Sequence, residues 1–353
     1  MKRSTVYKFR QLSIVIATWL IAGFIIAVYE HFVLHTNHSA GPAPGYSFLV
    51  SVLMNMGTGL IGALVGGSLL VFYVNVRFRD SSYGATVMVV MLSFAGVVFL
   101  VNIVMRAFME EPDMYRLFKN SLVWAVILAI TQLFLQINSK FGQGVFWNFL
   151  RGKYSTPREE RRIFMFLDLN SSTTIAEQLG DKKYHAFLKD LFSDITNPIL
   201  DSKGEIYQYV GDEVIVAWKY GNGIDNIRCI RCFFDIKERL RQLEGKYKAE
   251  YGLAPSFKAG IHCGKVVAGE IGIIKRDITY SGDVLNTTSR IQSMCREFNE
   301  EVIVSADLMA ELRLTAHYAV QTLGTIRLKG KQKEMQLVAL RLAQRGGNVP
   351  GTV

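Results

Sequence analysis

Residues 204–218 read GEIYQYVGDEVIVAW, two alternating runs of β-branched and aromatic residues around Val-Gly-Asp-Glu, the pattern of a β-hairpin. The turn needs Gly211 and one polar residue, yet the tip carries two adjacent acids, Asp212 and Glu213. Another acid, Asp168, lies near the end of the apolar run 163–169, just before the Ser/Thr-rich residues 170–174. If the strand end and the hairpin tip lie side by side, Asp168 and Asp212 repel unless a cation neutralises them. Mg²⁺ suits that arrangement, being a hard ion held by one or two carboxylates and completed by water and phosphate oxygens. The amides of 170–174, at a helix start with Ser171, Ser172 and Thr173, suit phosphate oxygens. The bland alternative makes Asp168 an N-cap and Asp212 a turn residue. A further group tilts the balance: in YSGDVLNTTSRIQSMCREF, Asn286 and Arg290 stand at i and i+4 on one helix face, where an amide and a guanidinium can grip a ribose oxygen and a phosphate. Lys329 and Lys331 flank Gly330 in a hairpin pattern and offer another phosphate contact.

The elements that must position these residues follow from periodicity. The apolar run 163–169 predicts a strand, and TIAEQLGDKKYHAFLKDLFSDITNPIL predicts one helix capped by the Ser/Thr cluster. The hairpin follows, then the amphipathic helix NIRCIRCFFDIKERLRQL, then a strand pair in SFKAGIHCGKVVAGEIG. The order β-α-β-β-α-β is the split βαβ, or palm-like, arrangement. Cys229 and Cys232 form a C-x-x-C, but no second pair exists to complete a zinc site, and they read as small apolar residues of the helix. All four cysteines lie in this half, as suits a reduced, cytoplasmic compartment.

The first 140 residues differ sharply. Of the 353-residue chain's net charge of +10, they hold ten Lys/Arg against five Asp/Glu, and no dense basic stripe appears anywhere, which disfavours nucleic acid as a partner. Four apolar stretches, 12–34, 48–76, 85–105 and 121–137, are long enough for a bilayer crossing of about 20 helical residues. Lys and Arg cluster before the first, between the second and third, and after the fourth, so both termini are expected in the cytoplasm. Gly59, Ala63 and Gly67, with Gly62 and Gly66, form a small-xxx-small stripe that serves either a dimer or packing inside one bundle. His31, His35 and His38 near the outer end of the first span are candidates for metal or pH sensing, or are simply interfacial. The short connector 138–160 has no heptad repeat.

Five motifs in register, FLDL with its Ser/Thr loop, YVGDEV, GIHCGKVVAGEIG, YSGDVLNTTSR and LKGK, resemble the catalytic domain of class III nucleotidyl cyclases over about residues 160–342. The overall layout is similar to membrane-anchored bacterial adenylate cyclases. The resemblance implies a four-span α-helical transmembrane bundle (1–140), a linker (141–160), an α+β cyclase domain with the palm-like βαββαβ core (161–343) and a tail (344–353). It implies a multi-pass protein of the bacterial inner membrane with its catalytic domain in the cytoplasm. Asp168, Leu169 and Asp212 would hold two Mg²⁺ or Mn²⁺ ions. Asn286 would orient the ribose, Arg290 would stabilise the transferring phosphoryl group, and Ser171, Ser172, Thr173 and Lys329 would hold phosphates. The acids of one subunit would meet the Asn/Arg pair of another in a homodimer. By the same resemblance, Gln208 and Thr279 would occupy the positions that select the purine, with Gln208 where the family usually has Lys. Because Gln donates and accepts, it could pair with adenine or guanine. ATP is the expected substrate and guanylate cyclase the alternative. A diguanylate cyclase lacks a place for the Asn286/Arg290 pair. A non-catalytic nucleotide-binding receptor is the rival of another class.

Overall fold

The computed structural model describes residues 3–35, 47–78, 81–108, 114–141, 152–274, 277–327 and 334–343. The chain divides near residue 146 into two compact units.

The first unit is helical. Helix α1 spans Arg3–Tyr29 and widens through Glu30–His35. Helix α2 spans Phe48–Gly62 and continues through Ala63–Gly67 and Leu69–Val74 to Asn75–Arg77. Helices α3 (Tyr83–Phe108) and α4 (Met114–Phe141) follow. Helices thus stand at all four apolar stretches. Thr5–Phe32 and Phe48–Arg77 are long and apolar enough to cross a bilayer, while Tyr83–Gly96 and Ser121–Ile137 are shorter apolar segments. The small-residue stripe packs α1 on α2 within the chain: a Cβ on Gly59 would lie 2.8 Å from the Trp19 carbonyl oxygen, and one on Gly67 would lie 2.9 Å from Val15 Cγ1. Trp19 Nε1 donates to Thr131 Oγ1 at 2.9 Å, tying α1 to α4. The His31 ring packs on Phe48 at 4.7 Å; the His35 side chain and His38 lie outside the described residues.

The second unit is a mixed sheet with helices on both faces. Strand β1 (Arg158–Leu169) runs at its centre. Helices α5 (Ser172–Leu179) and α6 (Asp181–Asp201) follow, then strands β2 (Glu205–Val210) and β3 (Glu213–Lys219). Helix α7 spans Arg228–Gln242, strand β4 Phe257–Ile271, β5 Asp277–Ser281 and helix α8 Asp283–Glu297. Strands β6 (Val302–Ser305), β7 (Tyr318–Ile326) and β8 (Met335–Leu342) complete the order β2-β3-β1-β4-β6-β8-β7, with β5 on β4. The β-α-β-β-α-β core is therefore present. Two local expectations are corrected. The single long helix is two, because Gly180 adopts φ +72°, a conformation that ends α5. The expected strand pair in 256–272 is one strand, β4, hydrogen-bonded to β1 from Arg158 to Leu169.

The alternation of β1 explains how the faces are filled. Ile163, Met165, Leu167 and Leu169 point into the large core with Phe187, Leu191 and Phe233 from α6 and α7. Phe164 and Phe166 pack on the other face with Ile215, Val266 and Val284. Arg162 and Asp168 share that second face, one at each end of it. Arg162 is buried, its Nε donating to Glu160 Oε2 at 2.8 Å and its Nη1 to Glu205 Oε2 at 2.9 Å, with the Tyr280 ring 4.9 Å away. Cys229 and Cys232 are buried free thiols facing the core; burial pushes the Cys232 thiol up to about 12. They act as apolar residues, and among the described residues no cluster of three or more His, Cys, Asp and Glu could hold a metal.

Candidate active site

Antiparallel pairing brings the sequence-distant acids together. Asp168 on β1 stands opposite Glu213 on β3, and Asp212 occupies the turn between β2 and β3, where Gly211 takes φ +60°. The three carboxyl groups act on one another. Burial, then the Asp212 charge, raises Asp168 above its usual range. Burial, then the Asp168 and Asp212 charges, pushes Glu213 up to about 7. Tyr184 of α6 is raised by burial and then by Asp212 and Asp168, which puts its phenol beside the same acids. Two half-buried acids brought side by side are hard oxygen donors short of positive charge, which is the donor chemistry a divalent cation satisfies. Asp168 and Asp212 therefore fit a hard divalent ion. Leu169 is buried on β1, paired with Phe257.

Ser171 adopts φ +56° and precedes α5 without a side-chain cap, so the expected hydroxyl cap is absent. Ser171 and Thr173 are exposed and Ser172 half-buried at the first turn of α5. Lys329 lies outside the described residues.

Helix α8 carries Asn286 and Arg290. Its buried side, Val284, Thr287, Thr288, Ile291 and Cys295, faces the sheet. At about 100° per residue, Asn286 and Arg290 fall about 40° apart on the opposite side. Asn286 is exposed and Arg290 half-buried. Gln292, about 160° round from Arg290 on the same count, donates from Nε2 to Asp168 Oδ2 at 3.1 Å. The structure thus joins the acids with Gln292, and it turns the Asn/Arg pair away from the chain's own acids.

Gln208 and Thr279 lie beside a contact between β2 and β5. A bulge between Ile206 and Gln208 leaves Tyr207 without a partner in the β3 ladder. Its ring packs 5.0 Å from Tyr280, and its hydroxyl accepts from the Tyr280 amide at 3.3 Å. Gln208 is exposed next to this contact. Thr279 Oγ1 is buried with no hydrogen-bond partner among the described residues, an unsatisfied polar atom of the kind a ligand completes. Sequence reasoning missed Gln292, Tyr184 and Arg162. A glutamine six residues beyond Asn286 carries no local signal, and Arg162 reads as one more charge in the run REERR.

Residues 155–341 match the adenylate and guanylate cyclase catalytic domain. The chain belongs to this family, the class III nucleotidyl cyclases. Among proteins similar to the cyclase chain, Adenylate cyclase 2 of Rhizobium meliloti is 36% identical over 230 residues, covering 65% of this chain and 63% of that protein. A receptor-type guanylate cyclase of Caenorhabditis elegans is 27% identical over 175 residues, covering 47% of this chain and 23% of that protein. The cyclase chain thus spans less than two thirds of the length of these relatives. A solved bacterial light-regulated adenylyl cyclase superposes with a TM-score of 0.55 at 20% identity, over 66% of this chain and 67% of that one, a likeness of fold.

Proposed function

We propose that this protein is a membrane-anchored adenylate cyclase that converts ATP to 3′,5′-cyclic AMP and pyrophosphate. The observation that carries the reading is the convergence of Asp168 and Asp212 in a chain of the cyclase family. In the reaction, the ribose 3′-oxygen forms a bond to the α-phosphorus, the bond from that phosphorus to the bridging oxygen breaks, and the 3′-proton leaves. Asp168 and Asp212, with Leu169 between strand and loop, would hold two Mg²⁺ or Mn²⁺ ions. When bound, such ions lower the pKa of the 3′-hydroxyl and neutralise the triphosphate. The residues of the chain do the rest. Asn286 orients the ribose, and Arg290 places a guanidinium where negative charge grows on the phosphoryl oxygens. The start of α5 with Ser171, Ser172 and Thr173, together with Lys329, receives the phosphate tail.

The outward direction of Asn286 and Arg290 supports a homodimer in which each site takes its acids from one copy and its Asn/Arg pair from the other. The unsatisfied Thr279 hydroxyl and the adjacent Gln208 are the proposed base contacts. The 36% identity to an adenylate cyclase favours ATP, while Gln208, able to donate and accept, keeps GTP as the competing substrate. The four helices of the first unit are proposed to cross the bacterial inner membrane with both termini in the cytoplasm, in line with the Lys/Arg distribution. The test is a nucleotide panel: purified full-length protein with ATP or GTP and Mn²⁺, followed by detection of the cyclic product. Cyclic AMP is expected in excess. Predominant cyclic GMP reassigns the base, and no cyclic product from either nucleotide sinks the enzymatic reading in favour of a binding receptor.

A further inference from the structure

Helix α8 approaches the sheet most closely at Gln292. A Cβ built on Gly260 of β4 would lie 2.3 Å from the Gln292 backbone nitrogen and 2.8 Å from its Cβ, so only glycine there lets the helix backbone settle onto the strand. Gly260 stands opposite Phe166, two residues before Asp168 on the same face of β1. Close approach therefore sets the Gln292 side chain over the end of β1, where its amide donates to Asp168 Oδ2 at 3.1 Å. The contact and the glycine that permits it are separate observations with the same consequence. A neutral amide hydrogen bonded to one carboxylate oxygen fixes the plane of the group, without bringing a positive charge that would compete with a cation.

We propose that Gln292 is a positioning residue for Asp168, holding its carboxylate oriented for divalent-cation binding. The inference rests on the reading of Asp168 and Asp212 as cation-binding acids. Residues that orient a metal ligand typically change metal affinity 10- to 100-fold when removed, and an exchangeable site with water on several positions belongs at the lower end, about tenfold.

The test uses the full-length protein in detergent with Mn²⁺ alone, free Mn²⁺ being followed by its electron paramagnetic resonance signal. Gln292→Met keeps the length and packing but removes the donor; Gln292→Asn keeps the donor but shortens its reach. Both variants should bind Mn²⁺ about tenfold more weakly than the parent, with an unchanged melting temperature in chelator. In turnover assays the half-activating Mn²⁺ concentration should rise while the KM for nucleotide at saturating Mn²⁺ stays put. Parental Mn²⁺ affinity in both variants overturns the inference and leaves the acid pair standing. A fall in melting temperature accompanied by a shift in nucleotide KM also overturns it, because it assigns Gln292 to helix packing. If the parent binds Mn²⁺ no better than Asp212→Ala, the cation reading itself fails, and this inference falls with it.

Discussion

An acid whose proton affinity is raised by burial and by neighbouring acids has a measurable cost before any substrate arrives. Glu213, pushed up to about 7 by burial and by Asp168 and Asp212, keeps a proton in the folded protein that the unfolded chain gives up near 4.5. Between those values the folded state binds more protons, so this group's contribution to stability falls as pH rises from about 4.5 to about 7. Asp168 shifts in the same direction. Melting curves in chelator should show this slope, Glu213→Gln should flatten it, and added Mn²⁺ should lift the parent most at the alkaline end. Asp212→Ala should abolish cyclic-product formation with little change in melting temperature, because a half-buried turn position accepts alanine while Gly211 keeps the positive φ. Arg290→Ala should lower kcat by about 100-fold, as expected for a group that acts on developing charge; a change confined to KM would count against that role. The meeting of Asp168 with Asp212 and the shared helix side of Asn286 and Arg290 were legible because each sits inside a short pattern of turn, strand end or i,i+4 pair. Gln292 was not, since its contact with Asp168 spans 124 residues of sequence.

Elements fix where those side chains point. The βαββαβ order was readable from periodicity and turn residues, since the acids sit at a strand end and a hairpin tip. The break at Gly180 was not, because α5 and α6 are both amphipathic and only the backbone twist at one glycine separates them. The full length of β4 was hidden for another reason: Gly260, Gly264 and Gly269 look like turn punctuation, yet the first two clear space for α8. Gly260→Ala should cost about 2 kcal/mol of stability by forcing the helix off the strand, and it should weaken Mn²⁺ binding along with it; chemical denaturation and Mn²⁺ titration check the two effects. Arg162→Met removes a buried cation, but the partners it strands are accessible, Glu205 being 49% exposed. Its cost should sit near 2 kcal/mol, below the 3–5 kcal/mol of a fully buried pair, because water takes over the freed carboxylates.

For the whole molecule, the decisive prediction concerns how many copies make a site. If sites are shared as proposed, Asp212→Ala and Arg290→Ala chains, each inactive alone, should recover activity when co-assembled, because one site of the pair would then have intact acids and an intact Asn/Arg pair. A verified heterodimer that stays inactive would contradict sharing. The division of the chain into a helical and an α/β half was legible from hydropathy alone. Which helices the small-residue stripe serves was not: a stripe only says that something comes close, and the nearby Trp19 and Val15 of α1 show what does.

Strand β1 is held by hydrogen-bonded neighbours on both edges, with a buried guanidinium near its beginning and the acid near its end. From Arg162 to Asp168 is a span of about 20 Å. Such a girder cannot lengthen, and a slip by one residue would send every aromatic on its face to the wrong side. Register alone therefore keeps the buried guanidinium and the acid on one face at a set separation, so a substitution that disturbs pairing at either end disturbs both.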